Sequence, residues 1–191
     1  MLEFTIRDIC FSSPIIAASG TFGYGDEVQA FVDLSKIGSV ITKSITLEPR
    51  EGNLSPRIHE SSSGMINSIG LANMGVDRFC KTKLPSLNEL KTNFIVSVAG
   101  SSLDEYIDVI RKLDQTNGKH VGYEVNISCP NVKEGGIEFG VDKDITLNLT
   151  RSLRKLTDRL LIIKLTPNVT DIVGIATVSY THLTLPTNRE V

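Results

Sequence analysis

The feature that most constrains the fold of this 191-residue chain is a repeated alternation of apolar and amphipathic segments. The apolar segments have the length of buried strands, and the segments between them show helical spacing of their apolar residues. Such an alternation predicts a parallel sheet covered by helices. The predicted strands of the sheet are residues 14–18, 39–42, 94–98, 123–126 and 161–165.

The segments around these strands complete the expected order of elements. Two short alternating segments, 4–6 and 9–11, precede the first strand, and residues 44–73 form a long polar excursion with β-like pieces at 57–58 and 65–66. Excursions of that length inside a compact domain are usually functional. The predicted helices are 26–34 with Asp26 as N-cap, 103–113 opened by Ser101 or Ser102, 145–156 capped by Asp144, and one that begins at 170–171.

A polar residue lies at or near the end of each predicted strand, and these residues suggest where a site lies. In a (β/α)8 barrel, and along one edge of a doubly wound sheet, the carboxyl ends of the strands meet on one side. The first loop lacks the Gly-x-Gly-x-x-Gly spacing, which disfavours a dinucleotide-binding domain. A complete barrel needs eight strands and about 250 residues, so we expect either the first five βα units of a barrel or a smaller open fold. The polar residues are Ser19, Lys43, Ser97, Asn126 and Lys164.

Composition excludes several classes of function. The formal net charge is −2, and the basic residues are scattered, so no nucleic-acid surface is predicted. The three cysteines (Cys10, Cys80 and Cys129) form no Cys-x-x-Cys pair, so we expect neither disulfides nor a metal site. No apolar run approaches the roughly 20 residues that cross a membrane, and the N-terminus lacks a signal-peptide pattern. A cytoplasmic location is expected.

The character of the sequence changes from about Val178. The pattern after that residue does not continue the helix that begins near Asp171, and it resembles a translated adaptor joined to a broken reading frame. We therefore expect residues 1–177 to be the N-terminal part of a barrel and residues 178–191 to be a non-native tail. The alternative is an ordinary disordered C-terminus.

Cys129 is the strongest candidate for a catalytic residue. It follows the fourth strand by three residues, beside Pro130 in a polar loop. Neither His59 nor His120 lies in a triad context, which favours proton transfer over acyl transfer. The alternative is a loop cysteine with a structural role.

Two lysines and a run of amides could bind a planar anion. Lys43 and Lys164 end or follow apolar strands, where an unpaired ammonium is costly and an anionic ligand would compensate for it; the alternative is that their heads reach solvent. The stretch 64–73 alternates small, amide and apolar residues, which could hydrogen-bond a heterocycle or simply form a surface turn.

Five motifs occur in order along the chain. They are Ala-Ser-Gly-Thr-Phe-Gly at 18–23, Thr-Lys-Ser-Ile-Thr at 42–46, Asn-Ser-Ile-Gly-Leu at 67–71, Asn-Ile-Ser-Cys-Pro-Asn at 126–131 and Lys-Leu-Thr-Pro-Asn at 164–168. Together they resemble the class 1 dihydroorotate dehydrogenase family, flavin enzymes of pyrimidine synthesis. The resemblance covers residues 1 to about 176. The segments 131–136 and 167–172 look like the NAD-linked 1B type rather than the fumarate-reducing 1A type.

The resemblance implies a (β/α)8 barrel that holds FMN at its carboxyl face. Cys129 would remove a proton from C5 of dihydroorotate, and the hydride from C6 would pass to N5 of FMN, giving orotate. The family often has asparagine at the position of Ser97. The implied flavin contacts are Ser19, Lys43, Ser44, Ser97, Asn126 and Lys164. The implied substrate contacts are Lys43, Asn67, Ser68, Ile69, Gly70, Leu71 and Asn126.

The resemblance also implies partners. A 1B enzyme works with a subunit that carries FAD and an iron–sulfur cluster, in a heterotetramer, whereas a 1A enzyme is a homodimer that uses fumarate. The last barrel strands, which supply the phosphate site, are missing from the pattern. An inactive fragment is therefore the alternative of a different class, and we expect that the chain alone does not retain FMN.

Overall fold

The computed structural model describes residues 2–128, 133–134 and 137–183 of the chain. The strands in chain order are β1 (Phe4–Ile6), β2 (Ile9–Phe11), β3 (Ile16–Ala17), β4 (Ser39–Ile41), β5 (Ile58–Ser61), β6 (Gly64–Asn67), β7 (Asn93–Val98), β8 (Gly122–Asn126), β9 (Lys133–Glu134), β10 (Ile137–Glu138) and β11 (Leu160–Lys164). The α-helices are α1 (Val76–Thr82), α2 (Leu84–Leu87), α3 (Leu103–Asp114), α4 (Lys143–Leu156) and α5 (Ile172–Leu183).

The central sheet has five strands in the order β11-β8-β7-β4-β3, and every neighbouring pair is parallel. Sequential strands lie side by side, joined by connections that carry the helices or the long excursion. This is the pattern of consecutive βα units, and the prediction of a partial (β/α)8 barrel is confirmed. Within the described residues, β3 and β11 each pair on one side only.

Alternate residues of the strands pack on opposite faces of the sheet. On the face covered by helices, Phe94, Val96 and Val98 of β7 join a core that includes Tyr106 and Leu153 of the covering helices. A second, smaller cluster, in which Ile95 of β7 packs, lies on the other face. The hairpin β1–β2 contributes to that cluster, whose buried members are Phe11, Ile41, Ile95 and Leu160.

The predicted helix over residues 26–34 is wrong. The chain forms turns there, followed by a short 3-10 helix, Leu34–Lys36. Glu27 turns back so that its Oε2 accepts from the N–H groups of Tyr24 and Gly25, at 3.0 and 3.1 Å. Lys83 then bonds both Asp26, at 2.9 Å, and Glu27, at 2.7 Å. The acidic residues that looked like a helix start are instead held by these partners.

Three further differences concern the helices. The N-cap of α4 is Asp142, whose side chain accepts from Ile145 at 2.9 Å, and not Asp144, which lies inside the first turn. The pattern did not predict α1 and α2. Helix α5 continues to Leu183, so the expected break near Val178 is wrong for the helix; the foreign origin of residues 178–191 stays a prediction. No helix in the described part of the chain is long and apolar enough to cross a membrane.

Candidate active site

A cavity of about 690 Å³ lies at the carboxyl ends of the sheet strands. Ser19 follows β3, Lys43 and Ser44 follow β4, and Lys164 is the last residue of β11. The excursion between β4 and β7 forms the opposite wall. The lining residues are Ser19, Gly20, Thr21, Lys43, Ser44, Asn53, Ile58, Met65, Asn67, Ser68, Ile69, Gly70, Leu71 and Lys164.

A bulge after β4 explains how two of these side chains reach the cavity. Ile41 pairs with Ile95, and the next bridge joins Ile45 to Val98, so β4 carries one more residue than β7 between the two pairs. The N–H of Lys43 leaves the ladder and donates to the carbonyl of Gly23 at 2.8 Å. Bulges of this kind redirect side chains beside active sites. The extra residue lies within the segment that contains Lys43 and Ser44.

The two lysines give the cavity a positive surplus. Neither Lys43 nor Lys164 has an ion-pair partner among the described residues. Burial lowers the pKa of Lys43, and the charge of nearby Arg57 lowers it further. A bound anion would offset both effects, because an opposite charge favours the ammonium form. The cavity is therefore suited to an anionic ligand.

The wall at residues 67–71 presents backbone N–H groups. The carbonyls of Ser68 and Ile69 are occupied, because they accept from the side chain of Asn53, at 2.9 Å, and from its N–H, at 3.2 Å. Gly70 and Leu71 both have positive φ, 73° and 56°. Consecutive N–H groups beside such a turn can form an anion-binding concavity. The N–H groups of Ile69, Gly70 and Leu71 donate to no acceptor in the described part of the chain.

The floor of the cavity is a buried chain of hydrogen bonds. Ser44 Oγ lies 2.8 Å from Ser97 Oγ and accepts from Asn126 Nδ2 at 3.2 Å. Ser97 is fully buried and does not line the cavity, so it reaches the site only through Ser44. Asn126 is 6% exposed and lies under Ser44 rather than in the wall. The predicted residues thus divide into a lining set and a buried supporting set.

Cys129, the predicted base, lies outside the described residues, as do its neighbours Pro130 and Asn131. The approach to this loop is described. Asn126 Oδ1 accepts from the N–H and the hydroxyl of Ser128, at 3.2 and 2.7 Å. The residue before Cys129 is therefore fixed by the same carboxamide that bonds Ser44. No group of three or more metal-ligating side chains occurs in the described ranges.

Sequence reasoning missed several residues that shape this site. Ile58 and Met65 of the hairpin β5–β6 line the cavity, whereas the sequence showed only short β-like pieces at these positions. Asn73 binds four backbone and side-chain groups, and Glu124 lies buried beneath the floor. Glu124 carried one usable signal, since a carboxylate inside an apolar strand needs a buried partner.

Comparison with known proteins identifies the family. A family model described as dihydroorotate dehydrogenase matches residues 1–185. Among curated proteins, the chain is 48% identical over 175 residues to the "Dihydroorotate dehydrogenase B (NAD(+)), catalytic subunit" of Geotalea daltonii, covering 92% of this chain and 57% of that protein. The protein of the same name from Petrotoga mobilis is 47% identical over 171 residues, with 90% and 56% covered.

The chain spans 57% of the Geotalea daltonii protein. The match nevertheless includes every element of the described sheet and every residue that lines the cavity. The chain belongs to the dihydroorotate dehydrogenase family.

Proposed function

We propose that this chain carries the flavin- and pyrimidine-binding side of an enzyme that oxidises dihydroorotate to orotate in pyrimidine synthesis. The observation that carries the proposal is the single cavity around which Lys43, Lys164 and residues 67–71 meet. Cationic side chains and N–H groups that have no acceptor among the described residues lie on facing walls, and both suit a planar, anionic ligand with hydrogen-bonding edges.

The residues of the cavity fit FMN. Ser19, Ser44 and Thr21 offer hydroxyls, and Lys164 offers a cation without a protein partner in the described ranges. A lysine beside a flavin ring favours its reduced, anionic form. FMN would supply the acceptor for the hydride. We assign its contacts to Ser19, Lys43, Ser44 and Lys164, with Ser97 and Asn126, which do not line the cavity, acting through Ser44.

The wall at residues 67–71 fits the substrate. Lys43 and the N–H groups of Ile69, Gly70 and Leu71 would hold the carboxylate of dihydroorotate, because charge-assisted bonds to a carboxylate are the strong ones. Asn67, whose amide both donates and accepts, would bind the pyrimidine edge. Ser68 would contribute through its backbone. Its N–H donates to the carbonyl of Arg57 at 2.8 Å and so keeps residues 67–71 in place.

Cys129 would act as the base that removes the proton from C5. Its thiolate must face the substrate from the side opposite the flavin, so that proton and hydride leave on different sides. Two contacts support this assignment: the bonds from Ser128 to Asn126 fix the residue that precedes Cys129. Asn126 would then support Ser44 in the cavity wall while it holds the start of the catalytic loop.

The relatives also favour one type of electron acceptor. Those named above are NAD(+)-linked catalytic subunits. We therefore propose a cytoplasmic enzyme that works with an electron-transfer subunit carrying FAD and an iron–sulfur cluster. Reoxidation of the reduced enzyme by fumarate, without such a subunit, would instead indicate the 1A type.

The test is anaerobic reduction of the flavin-loaded enzyme by dihydroorotate, followed by flavin absorbance. We expect Cys129→Ala to slow flavin reduction by at least about 100-fold, the usual contribution of a general base, while flavin stays bound. Cys80→Ala is the matched control; burial and the charge of Asp77 raise the pKa of that thiol. Near-parent reduction by Cys129→Ala would remove Cys129 from this role.

A further inference from the structure

A buried carboxylate lies at the end of the hydrogen-bonded chain under the cavity floor. Glu124 is 5% exposed, and its Oε1 accepts from Ser97 Oγ at 2.8 Å. From Ser97 the path of hydrogen bonds continues through Ser44 to Asn126, and from Asn126 to Ser128. Side chains from β8, β7 and the bulge after β4 are therefore connected in one path beneath the cavity.

The chemistry of each group fixes the direction of every bond in this path. A hydroxyl has one hydrogen, and Ser97 donates it to Glu124, so Ser97 can only accept from Ser44. Ser44 thereby uses its own hydrogen and can only accept from its other partner. A carboxamide nitrogen only donates, and the Nδ2 of Asn126 is the group that meets this requirement at 3.2 Å.

The orientation of Asn126 then decides which of its ends faces the catalytic loop. With Nδ2 toward Ser44, the Oδ1 of Asn126 is left to accept from the N–H and hydroxyl of Ser128. A flipped carboxamide would place its NH2 group against the N–H and hydroxyl donors of Ser128. It would also place its oxygen against the lone pairs of Ser44. The acceptor at the far end of the path therefore selects one of the two carboxamide orientations.

We propose that Glu124 is a positioning residue that sets the direction of the Ser97–Ser44–Asn126 path and so orients the Asn126 carboxamide and the start of the Cys129 loop. Glu124 does not touch the cavity and acts only through Ser97. The consequence for catalysis rests on the proposed function, because it requires Ser44 and the Cys129 loop to meet flavin and substrate. The consequence for the orientation of Asn126 does not.

The burial of Glu124 supports a role other than stability. A carboxylate in the interior is costly, and an apolar residue of similar volume often stabilises a protein as well or better. Glu124 has no ion-pair partner among the described residues, and its described contact is one hydroxyl of the path that leads to the cavity.

Three variants of the flavin-loaded enzyme separate positioning from packing. Glu124→Leu removes the acceptor, Ser97→Ala interrupts the path but leaves Glu124 in place, and Glu124→Gln keeps an acceptor carbonyl of the same shape. We expect the first two to slow dihydroorotate-dependent flavin reduction about tenfold per bound flavin, equivalent to about 1.4 kcal/mol. Glu124→Gln should recover most of the parent rate.

The readout that does not depend on activity is the side-chain amide of Asn126 in protein labelled with ¹⁵N-asparagine. We expect one slowly exchanging signal in the parent and in Glu124→Gln, and faster exchange or two signals in Glu124→Leu and Ser97→Ala. The double variant Glu124→Leu/Ser97→Ala should reduce flavin no more slowly than either single variant, because both substitutions interrupt the same path.

Two results would overturn the inference: an unchanged Asn126 signal in both Glu124→Leu and Ser97→Ala, or a Glu124→Gln enzyme as slow as Glu124→Leu. If the parent enzyme failed to oxidise dihydroorotate, the proposed function would fall, and the amide signals would still decide the role of Glu124. If Glu124→Leu did not fold, Ser97→Ala would carry the same test.

Discussion

At the scale of single residues, Asn73 shows how a site can depend on a side chain outside it. Its Oδ1 accepts from the N–H groups of Thr46 and Gly75, at 3.2 and 2.8 Å. Its Nδ2 donates to the carbonyl of Leu71 at 2.8 Å and to Thr46 Oγ1 at 2.9 Å. Leu71 has φ 56°, a strained value for a residue with a side chain. Asn73 therefore holds the strained end of the cavity wall at residues 67–71.

Substitution of Asn73 by aspartate tests this role. Asn73→Asp keeps the acceptor for Thr46 and Gly75 but replaces the donor to Leu71 with a second oxygen. We expect orotate binding, measured by perturbation of the flavin spectrum, to weaken about tenfold or more, since the loss of about 1.4 kcal/mol has that effect. Asn88→Asp is the matched control, because Asn88 makes similar bonds, to Lys119 and Asn117, away from the cavity. Equal effects of both variants would contradict the role of Asn73.

His120 is a second residue with a measurable consequence, here for stability. It is fully buried, and its Nε2 lies 2.8 Å from the hydroxyl of Tyr123, which donates its own hydrogen to Asp114 at 2.6 Å. His120 Nε2 is therefore the donor, and Nδ1, which then carries only a lone pair, is buried with no donor in the described part of the chain. Burial, together with the charge of Arg159, lowers the pKa of His120 to about 3.

This depressed pKa predicts an acid-sensitive fold. Between about pH 6.5 and pH 3 the unfolded chain binds a proton at His120 that the folded chain does not, so stability is present above pH 6.5 and falls as the pH falls. We expect a loss of about 2 kcal/mol between pH 7 and pH 5, measured by urea unfolding. His120→Gln should flatten the slope in this range, and His59→Gln, on the exposed hairpin, should leave it as in the parent. A His120→Gln slope equal to the parent's would contradict this account.

At the scale of elements, the sequence predicted what local periodicity controls. Residues 94–98 and 103–113 were close to the observed β7 and α3, because burial and helical spacing are properties of adjacent residues. The helix over 26–34 was wrong because its acidic residues pair with Lys83, more than fifty positions away. The bulge after β4 could not be foreseen either, since it exists only in the register between β4 and β7.

The same limit applied to the candidate site. The positions of Ser19, Lys43 and Lys164 in the cavity wall could be predicted, because polar residues at strand ends meet on one face whatever the details of packing. Ser44 was implied only by the family resemblance. The buried path from Glu124 could not be predicted, because its bonds join residues 27, 53 and 82 positions apart.

The loop between β3 and β4 gives a test at this scale. Burial acts to raise the pKa of Glu27, but its bond from Lys83 and further hydrogen bonds lower that pKa to about 2. Lys83 also lies 5.5 Å from the ring centre of Tyr24. The same loop accepts the N–H of Lys43 through Gly23, so Lys83 indirectly supports the cavity.

We expect Lys83→Met to destabilise the protein by about 1 to 3 kcal/mol, because it leaves two carboxylates close together and partly buried without their cation. Thermal unfolding at neutral pH measures the change. Lys112→Met is the matched control: Lys112 pairs with Asp77 at 2.7 Å, but that pair is exposed and is expected to contribute less than about 1 kcal/mol. A smaller loss of stability in Lys83→Met than in Lys112→Met would contradict the stabilising role of the Lys83 ion pairs with Asp26 and Glu27.

At the scale of the whole molecule, the open sheet determines what this chain can hold. The described sheet ends at β3 on one side and β11 on the other, and the cavity lies between the strand ends of these two edges. Edge strands present unpaired backbone groups that favour association with other chains. The flavin contacts we propose all come from one side of the site, and barrels generally bind phosphate at the loops after their last strands.

We therefore expect that the 191-residue chain, expressed alone, does not retain FMN. Lys43 and Lys164 attract the anion, but a ligand enclosed on one side keeps most of its surface in water, whereas small-molecule sites usually bury about 70 to 90% of it. The measurement is visible absorbance after gel filtration with excess FMN, compared with Lys164→Met as a control for charge alone. Weak, salt-sensitive retention that Lys164→Met abolishes would reflect charge attraction and agrees with an open site. A yellow preparation with one flavin per chain, stable at high salt, would contradict the expectation and would mean that the five described strands suffice to enclose the cofactor.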